Sequence, residues 1–177
     1  MIICIFGPSY AGKTTLAQRA AAALDLPLRS CGNAVRQMAK NLGLPIDELP
    51  DDAHRVVDAA SVDWAVEHQG GCMLEGRFLD AVFDAAGVST NLIELRADIN
   101  CRLKRARLRN GRSTFSADAL NRVDAKDASF RGRQFGQHGI DLPRRVLDTS
   151  GRTVDECARQ VQEIVTTWAL SRENQHV

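Results

Sequence analysis

The stretch MIICIFGPSYAGKTT, residues 1–15, decides how this chain folds. Ile2 to Phe6 is a short apolar run ending at a glycine, the pattern of a buried strand. Gly7 to Thr14 then matches G-x-x-x-x-G-K-[ST], and Leu16 to Leu24 reads as a helix. Strand, loop and helix in that order form the setting in which this motif cradles phosphate. Glycine frees backbone N–H groups to curl around phosphate oxygens. The helix start adds its positive dipole end. Lys13 can reach the β- and γ-phosphates of a nucleotide, and the Thr14 hydroxyl can ligate Mg²⁺. The candidate phosphate-binding residues are therefore Gly7, Pro8, Ser9, Tyr10, Ala11, Gly12, Lys13, Thr14 and Thr15.

At 177 residues the chain suffices for one domain with a proper core, and it is read as one unit over 1–177. Its net charge of +1 supplies no global field for nucleic acid or an acidic partner. Lysine occurs only at 13, 40, 104 and 126, and arginine supplies the remaining positive charge. Arginine suits bidentate phosphate recognition, although genome composition produces the same bias. Cys4, Cys31, Cys72, Cys101 and Cys157 form no C-x-x-C pair, which indicates neither a zinc site nor a disulfide framework. Cys4 and Cys72 lie in apolar runs and read as core residues. The N-terminus enters the first strand with no signal-peptide pattern, and no apolar run could span a bilayer. A cytoplasmic protein with no membrane partner is expected, as a monomer or a weak homo-oligomer.

Strands and helices alternate along the rest of the chain. Leu26 to Ser30 is a short second strand or extended link. Asn33 is placed to cap a helix from Ala34 to Leu42, which Gly43 and Pro45 stop. Asp51-Asp52 precede a helix to about His68, with Val56, Val57, Ala60, Trp64 and Ala65 near one face. Strands follow at 72–74, 91–95 and 145–147, and helices at 79–86, 98–110 and 153–170, the last with a frayed tail. From Ser116 to about Gln137 the chain is helical but polar, the character of a solvated, mobile arm. The alternation predicts an α/β fold, a parallel sheet with helices on both sides. Ligands in such sheets sit at the carboxyl ends of the strands.

Charged residues collect at those ends. Arg36 lies in the helix after the second strand, and Arg77 just past the third. Both can face the phosphates held by Lys13, and phosphoryl transfer needs cations on both reactants. Glu75 ends a strand beside the loop, where a carboxylate can hold Mg²⁺ through waters or pair with an arginine. Arg102, Arg105 and Arg109 share one helix face by their spacing, while Arg107 and Arg112 align less well. Lys126, Arg131 and Arg133 lie on the polar arm. Two such basic faces flanking a loop make either a lid that closes over triphosphate or a solvated basic surface. Asp58 and Asp63 could contact a base or sugar, or simply face solvent, and His54, His68 and His138 read as surface residues.

Taken together, the chain resembles the nucleoside monophosphate kinases, and among them the archaeal-type cytidylate kinase family. The landmarks are Gly-Pro-x-x-x-Gly-Lys-Thr-Thr at 7–15, Arg36 followed by Met38-Ala39-Lys40, and Leu74-Glu75-Gly76-Arg77. Arg102-x-x-Arg105 with Arg109 and Gly111, Arg133, Gly139-Ile140-Asp141 and Asp148-Thr149-Ser150 complete the set, from about Met1 to Trp168. The resemblance implies a P-loop NTPase three-layer fold with a central parallel sheet of about five strands. It also implies a helical acceptor-binding section near 30–68 and a mobile lid near 110–138. It implies that Lys13 and Thr14 serve ATP with Mg²⁺, where Glu75 is the candidate carboxylate, and that Arg36 and Arg77 hold the acceptor phosphate. It further implies that Arg105, Arg109 and Arg133 clasp donor and transferring group, with Lys126 also serving substrate. The reaction implied is MgATP plus CMP or dCMP giving ADP plus CDP or dCDP. The chain departs from the family at Tyr10, where glycine is usual, at Lys126, where arginine is usual, and at Gln134 and His138, where tyrosines are common. Phe78 stands after Arg77, where bacterial members have aspartate. A modified nucleotide or another small acceptor, or a nucleotide-binding switch without turnover, are the alternatives.

Overall fold

β1 (Ile2–Phe6) is buried along its whole length because it is the middle strand of the sheet. β3 (Cys72–Glu75) pairs with it on one side and β4 (Asn91–Arg96) on the other, both parallel. β2 (Leu28–Ser30) lies outside β3 and β5 (Arg144–Asp148) outside β4, so the order is β2-β3-β1-β4-β5. The computed structural model that shows this describes residues 1–68, 70–111 and 114–173. Arg112 and the end of the chain past residue 173, read above as part of a basic face and a frayed tail, lie outside the described residues.

The strand order explains where a ligand must sit. The chain runs from β1 outward to β2, returns to β3, and then crosses β1 to reach β4. The connections diverge at β1, and the crevice they leave opens at its carboxyl end, where Gly7 begins the loop. Gly7 has φ +140°, and a Cβ there would lie 2.4 Å from the Leu95 carbonyl oxygen. Only glycine allows the loop to leave β1 so close to β4.

Period-two alternation sorts the strands into two cores. Ile3, Ile5, Met73, Ile93 and Leu95 face α1 (Lys13–Ala23) and α7 (Val154–Glu173), meeting Leu16, Ala20 and Val161. Cys4, Phe6, Cys72, Leu74 and Leu92 face Ala65 of α3 (Asp51–Glu67) and Leu79, Val82 and Phe83 of α4 (Leu79–Ala85). Cys4 and Cys72 are buried core residues, and all five cysteines are free thiols. Thr153 and Glu156 form a reciprocal cap at the start of α7, Glu156 N–H donating to Thr153 Oγ1 and Thr153 N–H to Glu156 Oε2. Among the described residues no helix is long and apolar enough to cross a membrane.

Three expectations from sequence change. α2 spans Cys31–Leu42, and its cap is Ser30, whose hydroxyl accepts from Asn33 N–H. Gly32 and Asn33 are therefore in the first helical turn, because the Ser30 hydroxyl caps the helix earlier, with Asn33 supplying the amide it accepts rather than the cap. The inner face of α3 is Ala53, Val57, Ser61 and Ala65, an i, i+4 row, while Val56 is exposed. α5 (Ile99–Asn110) starts at its Asp98 cap as expected, but α6 (Ala117–Phe135) is no free-standing arm. Leu120 is fully buried, and ion pairs from Asp124, Asp127 and Arg131 tie α6 to the body.

Candidate active site

The P-loop takes its shape from what binds its carbonyls. Pro8 O accepts from Lys13 Nζ at 2.7 Å, and Ser9 O from Arg102 Nε at 2.8 Å. Ala11 O accepts from Arg105 Nη1 at 3.1 Å and Thr149 Oγ1 at 2.9 Å. Cationic and hydroxyl donors thus occupy the oxygens of the loop. Ala11 N–H closes the turn onto Pro8 O at 3.3 Å, and Gly7, Tyr10 and Gly12 at positive φ curl the chain into the shape of an anion cradle. The Tyr10 ring turns to Phe115, edge-on with centroids 5.8 Å apart, so tyrosine at the usual glycine position has an aromatic neighbour.

Burial lowers the Lys13 ammonium to about 8, although Glu75 pulls it the other way. A cation kept partly dehydrated beside the curled loop is suited to phosphate. Glu75 is 2% exposed, and its Oε1 accepts from Thr14 Oγ1 at 3.1 Å and from Ser30 Oγ. This set of hard oxygen donors fits Mg²⁺, which takes one or two protein oxygens and completes its shell with phosphates and water. Among the described residues no three His, Cys, Asp or Glu cluster as a protein-only cage.

Two cavities flank this loop. The larger, about 810 Å³, runs along Gly12, Thr15, Arg105, Leu108 and Arg152. The smaller, about 380 Å³, lies between α2, α3, α4 and α6. Tyr10, Lys13, Thr14, Arg36 and Arg109 line both, so the cavities share one cationic neck. Arg36 is lowered first by partial burial and then by the Arg109 charge. Two guanidiniums held in mutual repulsion beside Lys13 form a place for an anion.

The far end of the smaller cavity is different in character. Phe78 stacks on Phe130 at 5.7 Å, and His54 meets Phe130 edge-on at 4.9 Å. Burial lowers the His54 imidazole, with Arg77 adding to the effect. Asp58 reaches this aromatic end with no hydrogen bond to another described residue, and burial raises it to about 6 against the pull of Arg77. The cavity is thus charged at one end and flat and aromatic at the other, with one carboxyl group among the rings.

Comparison with known proteins agrees with this geometry. A cytidylate kinase of Pyrobaculum aerophilum is 31% identical over 170 residues, covering 90% of this chain and 89% of that protein. The chain belongs to the cytidylate kinase family. No model of a protein family matches it. Solved structures share the fold: a gluconokinase from Sinorhizobium meliloti 1021 has a TM-score of 0.65 at 15% identity, covering 98% of this chain and 95% of that one. A shikimate kinase from Bacteroides thetaiotaomicron has a TM-score of 0.62 at 14% identity, covering 94% and 98%. The sheet is the five-stranded parallel sheet of the P-loop kinases.

Within this member of the cytidylate kinase family, the residues singled out from sequence fall into three places. Lys13, Thr14, Glu75, Arg36, Arg77 and Arg109 gather around the neck. Arg105 lines the larger cavity while its guanidinium holds Ala11 and Thr149. Lys126 and Arg133 are exposed on α6 and line neither cavity, Arg133 donating to Ser129 Oγ. Sequence reading missed His54, which lines the cavity, and the partners of three arginines: Asp127 for Arg77, Asp124 for Arg102 and Asp80 for Arg131. The i, i+3, i+7 spacing of Asp124, Asp127 and Arg131 was the available signal. Asp63 is exposed, so of the two α3 carboxylates singled out from sequence Asp58 is the one that faces a ligand space.

Proposed function

We propose that this chain transfers the γ-phosphoryl group of ATP to a nucleoside monophosphate, with CMP or dCMP as the acceptor. The observation that carries the reading is the cationic neck shared by the two cavities. A donor in the larger cavity and an acceptor in the smaller one would meet at Lys13, Arg36 and Arg109. The loop amides and Lys13 hold the β- and γ-phosphates, and Arg105 keeps the loop in shape from outside. Thr14 and Glu75 would hold Mg²⁺, which supplies charge neutralisation between the phosphates. Arg36 and Arg77 orient the acceptor phosphate so that its oxygen attacks in line. Arg109, with no hydrogen-bond or ion-pair partner among the described residues, neutralises charge on the moving group. No covalent intermediate is needed, since positioning and charge stabilisation carry such transfers.

The aromatic end supports a base as the rest of the acceptor. Near neutral pH an Asp58 carboxyl of about 6 is mostly ionised and only accepts hydrogen bonds. It suits the exocyclic amino group of cytosine and repels the carbonyl that uracil presents there. The test is ADP release with MgATP and each nucleoside monophosphate in turn, with Lys13→Ala as the blank. Turnover of CMP or dCMP well above UMP is the expected result. Turnover of no monophosphate refutes the reading and moves the acceptor to another small molecule.

A further inference from the structure

The structure assigns Asp127 as the positioning residue for Arg77: it ties that arginine to the P-loop and makes the acceptor site depend on the docking of α6. The inference rests on the reading of Arg77 as an acceptor-phosphate ligand. Asp124, Asp127 and Arg131 form one face of α6 and meet Arg102, Arg77 and Asp80. The outer two pairs are bidentate anchors. Arg102 donates to both Asp124 oxygens at 2.9 and 2.6 Å, and Arg131 to both Asp80 oxygens at 2.9 and 3.0 Å. None of these four residues lines the acceptor cavity.

The middle pair differs. Asp127 Oδ1 accepts from Arg77 Nη1, and its Oδ2 accepts from Ser9 Oγ at 3.4 Å. Arg77 and Ser9 both line the acceptor cavity, whereas Asp127 lies behind them, in a separate space of about 320 Å³. Among the described residues Arg77 is engaged through Nη1 alone, which leaves Nε and Nη2 for an incoming phosphate. A carboxylate on one arm of the fork fixes the plane of the other, and the same carboxylate sets its distance from the loop that holds the donor. The outer anchors hold α6 in place, so Asp127 can act on Arg77 without itself holding the helix.

The test is steady-state kinetics of Asp127→Asn against the full-length wild type, varying CMP at saturating MgATP and MgATP at saturating CMP. The expected result is an acceptor KM raised tenfold or more, in the range of roughly 10- to 100-fold for a displaced positioning contact. The ATP KM should stay within about twofold, and the melting temperature should hardly move, because neither is set by this contact. Arg77→Ala supplies the second arm: in that background Asp127→Asn should change the acceptor KM no further, since its effect runs through Arg77. An unchanged or lowered acceptor KM in Asp127→Asn overturns the assignment, as does an equal rise for ATP or a full effect in the Arg77→Ala background. If the wild type turns over no monophosphate, the acceptor reading falls and this role with it. If the wild type is active and Asp127→Asn matches it, only the role of Asp127 falls.

Discussion

Replacing Arg131 by methionine should destabilise the protein by about 3 kcal/mol, because it strands a buried charge. Asp80 is 2% exposed, and its carboxylate faces the Arg131 guanidinium through two bonds near 3 Å. Removing one member of a buried pair costs about 3–5 kcal/mol. The Arg131 side chain is 20% exposed, so some water reaches the pair and the lower end applies. At about 2.1 cal/mol/K per residue, unfolding a chain of 177 residues has an entropy of about 0.4 kcal/mol/K. A loss of about 3 kcal/mol then lowers the melting temperature by about 8 °C. Urea titration followed by circular dichroism gives the free energy, and a thermal scan gives the shift. The double variant Asp80→Ala with Arg131→Met should recover more than half of the loss, since no uncompensated charge is left. A single variant weakened by less than about 1 kcal/mol, or a double variant no better than the single, would refute the burial reasoning.

Other expectations concern the site and its frame. Lys13 must be protonated to bind phosphate, and burial lowers it to about 8, so kcat/KM for ATP should fall above about pH 8; a profile flat to about pH 9.5 would contradict this. The sign for stability is opposite: the charged form is disfavoured in the folded state, so unliganded stability should rise between about pH 8 and the ordinary lysine value of 10.5. Gly139→Ala should cost about 2–4 kcal/mol, because a Cβ at φ +73° would lie 2.5 Å from the Asp80 carbonyl carbon. Gly87→Ala, at φ +66° with nothing within 4 Å, should cost only about 1 kcal/mol, and equal losses in urea melts would exclude the close contact. Asp58→Asn should lower kcat/KM for CMP roughly 10- to 100-fold and narrow the CMP-to-UMP ratio, and an unchanged ratio would remove Asp58 from base selection.

Much of the site is legible in the linear order because its parts are local. The P-loop is one contiguous run, and of its neighbours Glu75 ends one strand and Arg77 lies just past it, so strand, turn and helix signals suffice to place them. The paired face of α6 is not legible in this way. Arg102 and Asp124 are 22 residues apart, Arg77 and Asp127 are 50, and Arg131 and Asp80 are 51. Spacing identifies a common face of a helix but not what that face will meet. His54 read as a surface residue because nothing near it in sequence is aromatic, yet Phe130 is brought to its ring by the docking of α6.

The sequence by itself determined the α/β class, the phosphate-binding loop and the cationic residues around it. These follow from backbone stereochemistry and apolar periodicity, which act over a few residues. Only the tertiary structure decided that Arg102 and Arg105 shape the loop from behind, that Asp58 turns inward while Asp63 faces solvent, and that α6 is pinned by the ion pairs of Asp124, Asp127 and Arg131. Charges pair through space, so their partners are settled by the path of the whole chain, which local signals do not encode.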